Sequence, residues 1–255
     1  MKKVYIQNFD DAINSGNLSS ESYVQEIIDH YLLIIELLSQ RSAESTYVVN
    51  LIEERFLYVS NHDLFLSGRS SSDILEIGYE YYDNIIHPED LQLFYSMQQI
   101  IREYLFHPET EIENIDCFAC NFRIINHGLT LMVYQKLIPV IVHGRPLMAI
   151  CTMSSSVIKT SGGLTIYYKN RKICASYSFK NKQWKEKKVL KLTKREKEII
   201  KLSQQGKQNK EISHMLGISD KTIQNLRREL YRKLNQHSIL EAVILATNHH
   251  LIFMQ

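Results

Sequence analysis

The sequence lacks any apolar run long enough to span a bilayer, which takes about 20 residues. Its greasy stretch Leu32–Ile35 stops at Glu36. The N-terminal MKKVYIQNFDD carries two lysines, but Gln7, Asn8 and Asp10 interrupt it before a signal-peptide h-region can form. A cytoplasmic location with no membrane partner is therefore expected. Cysteine is scarce as well, four in 255 residues. Cys117 and Cys120 make one CxxC with no second pair behind it, inside a strand-like run where residues three apart point to opposite faces. They read as core thiols. The ten histidines form neither an HExxH nor a paired ligand set. Neither a metal site nor an enzymatic activity is expected.

A net charge of +2 conceals an asymmetry. From residue 185 onward there are 15 Lys+Arg and 7 Asp+Glu, or +8, leaving 30 − 15 = 15 basic and 28 − 7 = 21 acidic residues, or −6, in the rest. A basic tail domain on an acidic body points to a polyanion as the partner of the tail.

Residues 19–40 read as a helix: a serine cap precedes Val24, Ile28, Tyr31, Ile35 and Leu38 at helical spacing, and Ile27, Ile34 and Leu37 widen the stripe. It can pack on its own domain or on a second subunit. Next come two short β-rich runs, YVVNLI and RFLYVS, then a helical segment over 72–82, HPEDL at 87–91 and a helix to about Phe106. Three strand candidates follow, CFACNFRII, LTLMVYQKLIPVIV and RPLMAICTM, broken by turn signals at NHG and HG. This order predicts an α+β domain with one sheet face covered by helices. In HPEDL, Pro88 suits a first helical turn, and Glu89 and Asp90 favour the positive end of the helix dipole. With that motif and this order of elements, the segment resembles a PAS domain.

After a small-residue linker, 154–163, the runs LTIYY and KICASYSF predict a hairpin able to extend the sheet. KNKQWKEKKVLK reads as a solvated connector with Trp184 as a packing anchor between domains. The expected organisation is an N-terminal helical segment over 1–44, a PAS-like sensor domain over 45–158, a β-hairpin and basic linker over 159–189, and a helical DNA-binding domain over 190–255.

That last stretch carries the functional signal. Thr193 with Glu196 and Ser238 with Glu241 are capping boxes, Ser219 can cap another helix, and Gly206 and Gly217 end helices. Helices are predicted at about 194–204, 208–216, 220–234 and 239–250, an all-α four-helix unit with a helix-turn-helix. At 100° per residue, Ile223, Leu226, Leu230 and Leu234 fall within about 80° of one another on the third helix. Lys221, Asn225, Arg228 and Arg232 lie opposite, with Gln224 at the edge. A charged face is commonly just solvated. Here it follows a capped turn in the basic half of the chain and carries groups suited to phosphates and base edges.

Residues 192–246 resemble the LuxR/GerE-type helix-turn-helix domain of bacterial transcription regulators, matching LTxRExEII, Gly206, NKEI at 209, LxIS at 216, TI at 222, RKL at 232 and SxxEA at 238. The resemblance implies that the third helix enters the major groove of double-stranded DNA. Gln224, Asn225 and Arg228 would meet base edges, Asn209, Lys210, Lys221, Thr222 and Arg232 would lie against phosphates, and the last helix would join a homodimer. RNA polymerase would be a further partner. The chain departs from the pattern at Gln224, where lysine or arginine is usual, at Leu226, often histidine, and at Gln208, often a serine or threonine cap. Receiver and autoinducer-binding front domains lack their marks here, so a PAS-like sensor or dimerisation scaffold is expected. No cofactor is indicated and a small-molecule ligand stays open. The competing reading is a PAS-based protein-interaction module whose helical domain no longer binds DNA.

Overall fold

A computed structural model describes residues 20–142, 144–169, 172–249 and 251; the expectations placed on residues 1–19 lie outside these. Helix α1 (Ser20–Ser39) is followed by β1 (Ser45–Asn50) and β2 (Arg55–Val59). Four helices come next: α2 (Asp63–Leu66), α3 (Ser71–Ile77), α4 (Tyr81–Ile85) and α5 (Pro88–Leu105). Strands β3 (Ile115–Asn126), β4 (Leu129–Val142), β5 (Arg145–Ser155), β6 (Gly162–Tyr168), β7 (Ile173–Ser178) and β8 (Gln183–Lys188) follow. The chain then turns helical, with α6 (Lys194–Gln204), α7 (Asn209–Leu216), α8 (Asp220–Leu234) and α9 (Ile239–Asn248).

The eight described strands join one antiparallel sheet in the order β2-β1-β5-β4-β3-β6-β7-β8. Two strands, a set of helices and three antiparallel strands make a PAS-like sheet, and β6–β8 widen it beyond β3. The basic run expected to be a connector is therefore partly strand. At the sheet's edge β8 pairs with β7 and leaves its lysines in water, a composition that disfavours edge-to-edge pairing. Trp184 does not anchor one domain to the other. Its ring meets Tyr104 and Tyr177 at 5.4 and 5.1 Å, on the face covered by α2–α5.

Both faces of the sheet are covered, not one. On the inner face, Tyr47 stacks on Phe65 at 4.2 Å, and Phe56, Tyr82, Phe94 and Phe122 continue the ring cluster. Such pairs add roughly 0.5–1.5 kcal/mol each beyond area burial. On the outer face, Ile28 and Ile35 of α1 pack against Val48, Val140, Leu147 and Met148. This double burial explains the continuous apolar runs of β3 and β4 where a half-exposed strand alternates. Cys117 and Cys120 are buried thiols, and burial pushes each up to about 12.

The helical unit rests on the remaining outer face. Asn248 at the end of α9 donates to the Ser155 carbonyl at 2.9 Å and accepts from Ser154 Oγ at 3.0 Å. His249 Nδ1 shares hydrogen bonds with the hydroxyls of Tyr167 at 2.8 Å and Tyr134 at 3.5 Å. Val157 and Ile158 of the expected linker pack into the helical core.

HPEDL does more than start a helix. His87 caps α5 by accepting from the Glu89 amide at 3.3 Å, and Pro88 takes the first helical position. The buried Asp90 accepts from the Arg123 backbone at 2.7 Å, from the Arg123 guanidinium and from Ser161, tying α5 to β3 and to the entry of β6. Burial alone would raise the Asp90 pKa, but the bonds from Arg123 and Ser161 outweigh it and hold it at about 2. Because this lies below the unfolded value of about 3.9, the linked stability is present above about pH 4 and lost as pH falls toward 2. Asp90→Asn is expected to destabilise the chain by about 2 kcal/mol at pH 7 in urea titrations, with the difference from wild type shrinking below about pH 3.

Candidate nucleic-acid interface

Each helix of the C-terminal unit begins where its sequence signal stands. Thr193 and Glu196 bond reciprocally at the start of α6, and Ser238 and Glu241 do so at α9. Ser219 Oγ accepts from the Thr222 amide at 3.1 Å and caps α8. Gln208 supplies no side-chain cap bond to α7. Instead its amide donates to Glu211 Oε2 at 2.8 Å, and the helix starts at Asn209.

The turn between α7 and α8 is fixed at both ends. Gly217 is left-handed at φ 63°, ψ 36°, and the Ile218 amide returns to the Ser213 carbonyl at 3.0 Å. Across it, the buried Ser213 hydroxyl donates to the Asp220 carboxylate. Arg227 Nη2 reaches Ser203 Oγ at 2.8 Å and ties α8 to α6. Sequence reasoning missed these positioning residues; the seven-residue step from Ser213 to Asp220 across LGIS was the available signal. Ile199, Ile200, Ile212, Ile223, Leu230 and Leu234 form the core, with Leu226 packed at its edge.

This clamping leaves the other face of α8 in water. Lys221, Thr222, Gln224, Asn225, Arg228 and Arg232 are all exposed, as is Lys210 on α7. Among the described residues, Lys210, Lys221, Arg228 and Arg232 have no ion-pair partner, whereas Lys207, Lys233 and Arg195 are held by Glu211, Glu196 and Glu198. Two of the named residues differ in setting. Thr222 Oγ1 lies 2.8 Å from Ser219 Oγ and belongs to the cap, and the half-buried Asn209 has its carbonyl oxygen enclosed without a partner. Ala242 and Ala246 face their own core, while Leu240 stays 66% exposed. Among the described residues, no three His, Cys, Asp or Glu side chains converge as a metal site, and no helix is long and apolar enough to cross a membrane.

The family model for bacterial regulatory proteins of the luxR family matches residues 190–246. Residues 190–246 are a luxR-family domain. Over 52 residues, 20% of this chain, the sequence is 44% identical to the uncharacterized response regulatory protein YgeK of Escherichia coli strain K12, and the chain spans about a third (35%) of that relative's length. Two solved structures are similar in outline. VqmA of Vibrio cholerae is 18% identical with a TM-score of 0.35, over 88% of this chain and 90% of that one. The N-terminal PAS/PAC sensor region of a Marinobacter aquaeolei diguanylate cyclase is 14% identical with a TM-score of 0.35, over 44% of this chain and 94% of that one. The PAS-like assignment rests on the strand order.

The luxR-type domain thus joins a clamped inner face to an exposed cationic outer face. Ser219→Ala is expected to lower its stability by about 1 kcal/mol through loss of the α8 cap, seen as a lower thermal midpoint.

Proposed function

We propose that the chain is a transcription regulator whose luxR-type domain binds double-stranded DNA with sequence preference. The observation that carries this reading is the exposed α8 face, where Gln224, Asn225 and Arg228 stand between Lys221 and Arg232 with no described carboxylate pairing the cations. A helix set in the major groove presents its middle to base edges. Arg228 suits a bidentate contact to guanine and Gln224 or Asn225 to adenine. Lys210, Lys221 and Arg232, with Thr222 and Asn209 at the helix starts, suit phosphates. The regulator would act in the cytoplasm as a homodimer, with the exposed Leu240 end of α9 available to a second copy, and would meet RNA polymerase at its targets.

In this reading the PAS-like domain senses a signal or mediates dimerisation. A cavity of about 270 Å3 beside α5, lined by Tyr79, Tyr82, Phe94, Tyr95 and Arg102, offers room for a small aromatic ligand. The alternative, an interaction module that has lost DNA binding, draws only on Gln224 and Leu226, and Leu226 serves the core.

With about four to six phosphates engaged per protomer, log K is expected to fall with log[salt] at roughly −0.9 per contact. Selection from a randomised duplex pool at two salt concentrations tests both parts. Arg228→Ala should flatten preference at one base-pair position, whereas Lys221→Ala should weaken all sequences alike and make the slope shallower by about one. Binding insensitive to salt, or a preferred site unchanged in Arg228→Ala, contradicts the reading.

A further inference from the structure

On the side away from the cationic face, where the helical unit rests on the sheet, lies a second cavity of about 320 Å3. Its walls come from both parts of the chain. Leu234, Leu245 and Leu251 supply an apolar surface from the helical unit, and Tyr167 and Lys187 enter from β6 and β8. Lys188 and His249 also border it. No described carboxylate lines the space. Along β8, Lys187 pairs with Cys174 on the cavity side, while Glu186 and Lys188, paired with Ala175 and Ile173, alternate to the opposite face. Lys187 and Lys188 are exposed and have no ion pair among the described residues.

Lysines on an edge strand commonly serve only to block edge pairing. That role does not require Lys187 to border an apolar cavity beside a tyrosine hydroxyl. Single-sign charge next to an aliphatic surface selects a ligand with one anionic end and an apolar body, and the volume falls at the lower end of small-molecule sites, roughly 300–1,000 Å3. We propose that this seam binds an amphipathic monoanion, a carboxylate on an unbranched hydrocarbon chain. The chain lies on Leu234, Leu245 and Leu251, and the carboxylate meets Lys187. An occupant touching both parts of the molecule shifts their relative placement by its differential affinity for the two arrangements.

The test uses the full chain with leucine methyl labels and decanoate as the probe, with no DNA present, so its outcome is separate from the DNA-binding reading. Decanoate is expected to shift the methyls of Leu234, Leu245 and Leu251 saturably, below the concentration at which it forms micelles. The exposed pair change Lys187→Gln with Lys188→Gln should leave the fold intact and weaken decanoate roughly tenfold. Decan-1-ol should bind with an affinity that the pair change does not alter. The proposal is overturned if the shifts fall instead on Leu51 and Leu137 beside α5, if no saturable shift occurs, or if the double variant holds decanoate as tightly as wild type.

Discussion

The bond between Ser213 and Asp220 sets the angle at which α8 leaves α7, and the outward presentation of α8 depends on that angle. It closes a turn in which Gly217 takes the left-handed backbone and Ile218 returns to the carbonyl of Ser213. The Arg227 bond to Ser203 then fixes the rotation of α8 against α6. With its inner face locked by Ile223, Leu230 and Leu234, the helix has one orientation available. Its middle residues are held ready for a partner, which lowers the ordering cost of binding.

The same economy of faces organises the rest of the chain. The helices α2–α5 occupy one side of the sheet, and Asp90 keys the longest of them to β3 through Arg123. On the other side, α1 and the helical unit divide the surface between them. Asn248 and His249 bring the end of α9 against Ser154, Ser155 and Tyr167. Helix α9 thus belongs both to the helical core and to the contact with the sheet.

Much of this was legible in the residues because periodicity and caps are local. Thr193, Ser219 and Ser238 marked helix starts within one residue, and the 3.6-residue spacing of Ile223 to Leu234 separated the inner from the outer face of α8. What escaped were interactions joining distant segments. Strand β8 read as a connector because an edge strand of lysines has no apolar alternation, and only its pairing to β7 reveals it. Trp184 was assigned to the wrong contact, since one aromatic does not name its neighbour. Ser213 reads like any helix serine until Asp220 stands beside it. The exposures of Gln224, Asn225 and Arg228 followed from helical geometry alone.

Methylation interference on a selected duplex addresses base reading by α8 most directly. If Arg228 grips a guanine through O6 and N7, N7 methylation of one guanine in each half-site should abolish binding by the wild-type chain. The same methylation should leave the weaker binding of Arg228→Ala unchanged. Identical interference patterns for the two proteins would contradict the account, because the side chain at 228 would then take no part in reading that base.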